Sequence, residues 1–118
     1  MNIKIKRVYE PPARGDGQRV LVDRVWPRGV SRDEAKLDDW LKDVAPSTDL
    51  RKWFGHDPAK WSEFRRRYRA ELGRRDDALR PLLERAHRGT LTLLFGARDE
   101  THNQAVVLRE WLQERLAK

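Results

Sequence analysis

Apolar and polar positions alternate at the start of the chain, Ile3 and Ile5 against Lys4 and Lys6, with the two-residue period of a half-exposed strand. The next apolar run, Arg19 to Val22, lacks that alternation and reads as a central strand covered on both faces. Between them, Pro11-Pro12 and Gly15-Asp16-Gly17 make a loop with Asp16-Gly17 as its turn dipeptide. From Ser31 the period lengthens to three and four. Ser31 and Glu34 form a capping box that opens a short helix toward Leu37, and Leu37, Trp40, Leu41 and Val44 supply apolar anchors before Ala45-Pro46. Ser47 caps a second helix with Leu50, Trp53 and Phe54 on one side, and Gly55 ends it. Asp57 with Pro58 starts a third, whose Trp61, Phe64, Tyr68 and Leu72 form one stripe. Gly73 stops that helix, and a fourth runs from Asp76 to Gly89 with Leu79, Leu82, Leu83 and Ala86 inward. Thr90 to Phe95 is another buried strand. Thr101 with Gln104 reads as a capping box for a last helix with Ala105, Leu108, Trp111, Leu112 and Leu116 on its core side.

Strands separated by helices predict an α/β fold: a small, mainly parallel sheet flanked by helices, in a single domain over residues 1–118. Composition narrows the picture. Hydrophobic and charged residues are each 38%, so the core is small and the surface heavily charged, while five Trp, three Phe and two Tyr spread along the chain argue against disorder. The chain has no cysteine, which excludes disulfides, thiolate nucleophiles, iron–sulfur clusters and zinc ribbons. A formal charge of +7 suits anionic partners, namely nucleic acid, nucleotides or phosphorylated metabolites, although arginine-rich helices are equally often just solvated faces. No apolar run approaches the ~20 residues of a membrane span, and no signal-like pattern opens the chain, so the expected location is cytoplasmic. Nothing in the sequence sets an oligomeric state.

Candidate chemistry gathers where the two buried runs stop. Val20-Leu21-Val22 runs into Asp23-Arg24 and the turn Trp26-Pro27-Arg28-Gly29, and Leu91 to Phe95 runs into Gly96-Ala97-Arg98-Asp99. Parallel neighbours would bring Asp23, Arg24, Arg28, Arg98 and Asp99 to one sheet edge, the general ligand position of open α/β sheets. The helix opened by Thr101, with His102 and Asn103 in its first turn, would aim free N–H groups at the same crevice. Arginines and N–H donors suit an anion and leave hydrolase or transferase chemistry open, with His56 or His102 as acid/base oriented by Asp23 or Asp99. The competing account makes Asp23 and Arg24 a structural ion pair and Arg98 and Asp99 solvated. His56-Asp57 reads equally as a general base or as a capping turn between helices. No His-x-x-x-His or paired-carboxylate spacing supports a metal, no Gly-x-Ser-x-Gly elbow supports a serine nucleophile, and no cofactor motif is present. Arg65, Arg66, Arg67 and Arg69 offer nucleic acid an alternative surface, diluted by Glu63, Glu71, Asp76 and Asp77. A non-catalytic interaction protein whose polar motifs only fix the fold is the further alternative.

Arg7-Val8-Tyr9, the Val20 to Gly29 segment, Ala45 to Pro58 and the Asp99 to Ala105 stretch resemble the YeaO-like bacterial proteins, the domain of unknown function family 488. The resemblance covers almost the whole chain and implies a small cytoplasmic α/β protein without an assigned activity. Matching positions are Asp23, Arg24, Trp26, Arg28, Arg51, His56, Asp99, His102 and Asn103, which adds Trp26 and Arg51 to the candidate ligand-binding residues. The resemblance carries no residue role over. The broader family often has Cys-His-Arg after the last strand, where this chain has Thr101-His102-Asn103, so chemistry through that cysteine is closed to it. Val25 in place of Leu and Phe95 in place of Tyr conserve volume.

Overall fold

The computed structural model describes residues 2–117. Four strands, β1 (Ile3–Arg7), β2 (Gln18–Leu21), β3 (Asp39–Trp40) and β4 (Leu91–Phe95), form one sheet in the order β1-β4-β2-β3, and every pairing is parallel. The helices are α1 (Arg32–Ala35), α2 (Thr48–Phe54), α3 (Trp61–Leu72), α4 (Asp76–Arg88) and α5 (Gln104–Leu116). The sheet is thus wholly parallel, where the sequence predicted a mainly parallel one. β3 was not foreseen: two residues hold no period, and it exists because Trp40 and Asp39 lie in register with Leu21 and Val20.

Side-chain alternation sorts the sheet into unequal faces. Ile3, Val20, Val22, Leu91, Leu93 and Phe95 join Phe64, Tyr68, Leu79 and Leu108 in the main core under α2 to α5. Leu21 and Leu94 point the other way, into a small cluster with Val8 and Ala35, against which Trp26, Val30, Leu37 and Trp40 pack. On that thin face the buried positions are partly polar. Arg19 donates to Ala35 O at 2.7 Å and to Asp16 Oδ2 at 2.5 Å, and Thr92 Oγ1 donates to Asp16 O at 2.7 Å. The second strand is therefore not apolar on both faces as its Val-Leu-Val run suggested.

Helix starts follow the sequence reading in part. Ser47 Oγ accepts from Leu50 N and Ser31 Oγ from Glu34 N. Asp57 caps a 3-10 turn, Pro58–Lys60, which leads into α3. The cap of α5 is Asn103, not Thr101: its Oδ1 accepts from Ala105 N and Val106 N. Trp40, Trp53, Trp61 and Trp111, expected in the core, are half-buried instead, and so is Trp26 in the turn after β2. Cations cover their outer faces, Arg67 and Lys60 over Trp53, Lys42 over Trp40, and Arg69 and Arg115 over Trp111. Part of the high arginine content is spent in this way.

Candidate functional site

β2 and β4 are adjacent and end together, so the residues after them meet. Asp23 Oδ2 accepts the Gly96 N–H at 2.9 Å, and its Oδ1 accepts an N–H from Gln104, at the start of α5. A Cβ at Gly96 would lie 2.9 Å from that Oδ2 and 3.3 Å from Pro27 Cβ, which is why the strand ends in glycine there. Burial pushes the Asp23 carboxyl up to about 6, against the lowering effect of the Gly96 N–H, Gln104 and the Arg51 charge.

Around Asp23 opens a cleft of about 450 Å³, whose walls include Arg24, Trp26, Arg28, Pro46, Arg51, Phe54, His56, Phe64 and Gln104. Arg24 does not pair with Asp23. It donates Nε to Pro46 O at 2.9 Å and Nη2 to Ala45 O at 3.2 Å, tying the β2 turn to the entry of α2. Trp26 is fixed by its indole N–H to Val30 O at 2.8 Å and by an edge-on contact with Trp40, ring centroids 5.2 Å apart. Tyr9, from the loop after β1, donates its hydroxyl to Arg28 O at 2.8 Å and closes one side. The guanidinium groups of Arg28 and Arg51 are different: among the described residues neither has a hydrogen-bond or carboxylate partner. His56 is exposed at the cleft with φ +58°, following Gly55 at +54°. Two left-handed residues in succession turn the chain out of α2 so that Asp57 can cap the next turn, and they leave the imidazole at the cleft wall.

The other candidates lie apart. Asp99 Oδ1 accepts from Thr101 N at 2.9 Å, Thr101 Oγ1 at 3.0 Å and His102 N at 3.0 Å, and its Oδ2 meets His102 Nδ1 at 2.9 Å. The Thr101 N–H leads in holding this carboxyl down at about 2, with the His102 N–H and side chain adding to it. Asn103 donates to Asp99 O at 2.8 Å while capping α5. Arg98, Asp99, Thr101, His102 and Asn103 do not line the cleft. The His102 ring stands edge-on to Trp61 at 5.2 Å, and Trp61 packs on Phe54 and Phe64, whose other neighbours include the cleft. His102 therefore sits behind the aromatic wall, and it makes no pair with His56.

Sequence reasoning missed Gln104 as a partner of Asp23, because its spacing from Thr101 suited a capping role. It also missed Tyr9, Pro46 and Phe64 as walls. On the basic helix α3, the arginines meet acids: Arg65 with Glu110 at 2.8 Å, Arg66 and Arg67 with Glu63 at 2.7 and 2.8 Å, and Arg69 with Glu114 at 2.8 Å. The bidentate pair to Arg66 comes first in drawing Glu63 down to about 2. Among the described residues no group of three or more His, Cys, Asp or Glu could hold a metal, and no helix is long and apolar enough to cross a membrane.

A family model described as the inactive DUF488-N3 subclade matches residues 2–118. The chain belongs to the DUF488-N3i family. It is 44% identical over 113 residues to the uncharacterized protein YeaO of Escherichia coli (strain K12), covering 96% of this chain and 98% of that one. It is 41% identical over 113 residues to the uncharacterized protein Rv3073c of Mycobacterium tuberculosis (strain ATCC 25618 / H37Rv), covering 96% and 95%. No solved structure matches. The DUF488-N3i assignment bears out the resemblance seen in the sequence motifs and brings no reaction with it.

Proposed function

We propose that the chain is a binding protein for a small anionic molecule, of the nucleotide or phosphorylated-metabolite class, held in the cleft beyond β2 and β4 without chemical conversion. The observation that carries this reading is the pair of guanidiniums, Arg28 and Arg51, that make no hydrogen bond or salt bridge among the described residues and line one concave site beside Arg24 and His56. Elsewhere in the chain arginines are mostly paired with acids, carbonyls or tryptophan rings, so two left free at one cleft suit an external anion. The volume lies within the usual range of small-molecule sites. A left-handed histidine at the wall is backbone strain of the kind that collects at binding sites.

The absence of conversion is supported by what the acid/base residues are doing. Both Asp23 oxygens accept protein N–H groups, and Asp99, Thr101, His102 and Asn103 close a loop and cap a helix. The family description as inactive agrees with that. A cytoplasmic location and a single domain belong to the same proposal. The alternative nucleic-acid surface on α3 gains no support, since its arginines already have acid partners.

The test is an NMR titration with inorganic phosphate and with glycerol phosphate, following amide signals of Arg28, Gly29, Arg51, Gly55 and Gly96. Saturable shifts confined to those segments are expected, and the double substitution Arg28→Ala, Arg51→Ala should abolish them. Both side chains are exposed, so the variant should keep its fold. No saturable shift with either probe, or shifts that survive the substitution, would overturn the reading.

A further inference from the structure

The cleft contains one feature that a plain anion site would not want. Asp23 lies among its cations, half-buried, with an ionisable carboxyl on the lining surface. A carboxylate offers about four lone-pair sites, and the protein fills two of them, from Gly96 N–H and from Gln104. The groups facing Asp23 come from every side: Gly96 after β4, Gln104 on α5, and the Arg51 charge from α2. Tyr68 on α3 lies within electrostatic range, but its hydroxyl already donates to Val44 O. The remaining lone pairs therefore have no donor on the protein among the described residues. A bare anion drawn in by Arg28 and Arg51 would meet this carboxylate as a like charge, which costs affinity. A ligand with a donor at that point would meet it as a hydrogen-bond acceptor.

The third component is the wall. Phe54 and Phe64 are buried and form the floor of the cleft, while the exposed Tyr9 and Val25 and the half-buried Trp26 give it its accessible apolar surface. Apolar surface of this kind rewards a ligand body that covers it. Resting on the anion-binding reading above, we propose that the ligand is two-ended: its anionic group sits on Arg28 and Arg51, an apolar or aromatic body covers Tyr9, Val25 and Trp26, and an O–H or N–H donor reaches Asp23. Asp23 then acts as the specificity-determining residue, admitting anions that carry a donor and disfavouring those that do not.

Three sulfonates separate the components, because each keeps one negative charge through the neutral and mildly acidic range. They are methanesulfonate, benzenesulfonate and 4-hydroxybenzenesulfonate, titrated by calorimetry at neutral pH. Benzenesulfonate is expected to bind more tightly than methanesulfonate, and the hydroxyl to add roughly tenfold, the worth of a hydrogen bond to a charged group. In Asp23→Asn the affinity for benzenesulfonate should rise and the preference for the hydroxyl should fall toward parity. Equal binding of the two aromatic sulfonates by the unaltered protein, or a preference that persists in Asp23→Asn, would overturn the proposal and leave anion binding standing. Failure of all three to bind would overturn both. Should Asp23→Asn not fold, the same question is put to His56→Asn, which removes the cleft imidazole while suiting its left-handed backbone. Its affinity for benzenesulfonate should then rise as pH falls through about 6, where Asp23 takes up its proton. An affinity that stays flat would overturn the proposal.

Discussion

Two aspartates stand at the two ends of β2, Asp16 before it and Asp23 after it, and the protein treats them in opposite ways. Around Asp16 every neighbour compensates its charge. Lys6 Nζ lies at 3.1 Å, Arg19 Nη1 at 2.5 Å, and the Ala13 N–H donates at 3.0 Å. Burial alone would raise the Asp16 carboxyl, but the Ala13 N–H, Lys6 and Arg19 together bring it below its ordinary value. Around Asp23 burial dominates and the carboxyl rises to about 6, against two neutral donors and the field of Arg51, which makes no salt bridge with it. Arg51 and Arg28 line the same open cleft as Asp23. One end of the strand is closed electrostatically and holds the fold. The other is only partly compensated, which is the charge balance that the proposed anion would complete.

The sharpest way to break this contrast is to remove the closed carboxylate. Asp16→Ala leaves Arg19, 4% exposed, and the half-buried Lys6 without their acid, and strands the Ala13 N–H. Unpairing a buried ion pair typically costs about 3–5 kcal/mol, and a loss of that size in urea unfolding is expected. A loss below about 1 kcal/mol would mean that solvent already screens the network. The pH sign follows from the lowered folded-state pKa. The stability that Asp16 supplies is present above its ordinary value of 3.8 and is lost as pH falls through the lower folded value.

Asp23→Asn should have the opposite sign. Because its folded-state pKa is raised from 3.8 to about 6, the unaltered protein loses stability as pH rises between those values and bears the full cost above them. Asparagine keeps an acceptor for the Gly96 N–H, and the Gln104 amide can turn its oxygen toward the new NH2 group. At pH values above 6 the variant is therefore expected to be more stable, by about 1–3 kcal/mol, with the gain vanishing as pH falls toward 4. Paired urea titrations at the two pH extremes measure it. A variant that is destabilised at both would show that the charge of Asp23 serves the fold, and the comparison with Asp16 would collapse.

The sequence made one of these aspartates visible and hid the other. Asp23 was conspicuous because an apolar run ended on it beside Arg24, and parallel β2 and β4 did bring it to Gly96. Asp16 looked like half of a turn dipeptide, since its partners Lys6 and Arg19 are distant in sequence or disguised in an apolar-looking strand. Arg19 was the available signal: an arginine at a covered position of a central strand needs a buried acid. The loop after β4 was less legible. Charge and spacing placed Arg98, Asp99 and His102 at the same edge, but spacing does not reveal that Asp99 folds back on its own turn or that Trp61 stands between His102 and the cleft. Gln104 was misplaced for a related reason. A capping box and a strand-end acceptor can use the same side chain, and only the position of Asp23 decides between them.

The smallest expected effect bears most directly on why the open end stays open. Arg51 is exposed, has no hydrogen-bond or carboxylate partner among the described residues, and contacts Asp23 only through its field. Arg51→Ala should leave stability at mildly acidic pH within about 0.5 kcal/mol of the unaltered protein, as for most surface changes. What it should move is the titration of Asp23. With that positive charge gone, the carboxyl has one fewer influence holding it down, and its midpoint should shift upward from about 6 in carbon-13 NMR of the side chain. Removal of Arg19 from Asp16 would also raise an aspartate pKa, but only by taking a buried ion pair out of the fold with it. At Asp23 the cation is dispensable to the fold and felt by the acid, the condition under which an arriving anion can take its place in the charge balance. An Asp23 midpoint that does not move would mean that Arg51 does not share its field, and that the cleft is a set of separate surface charges.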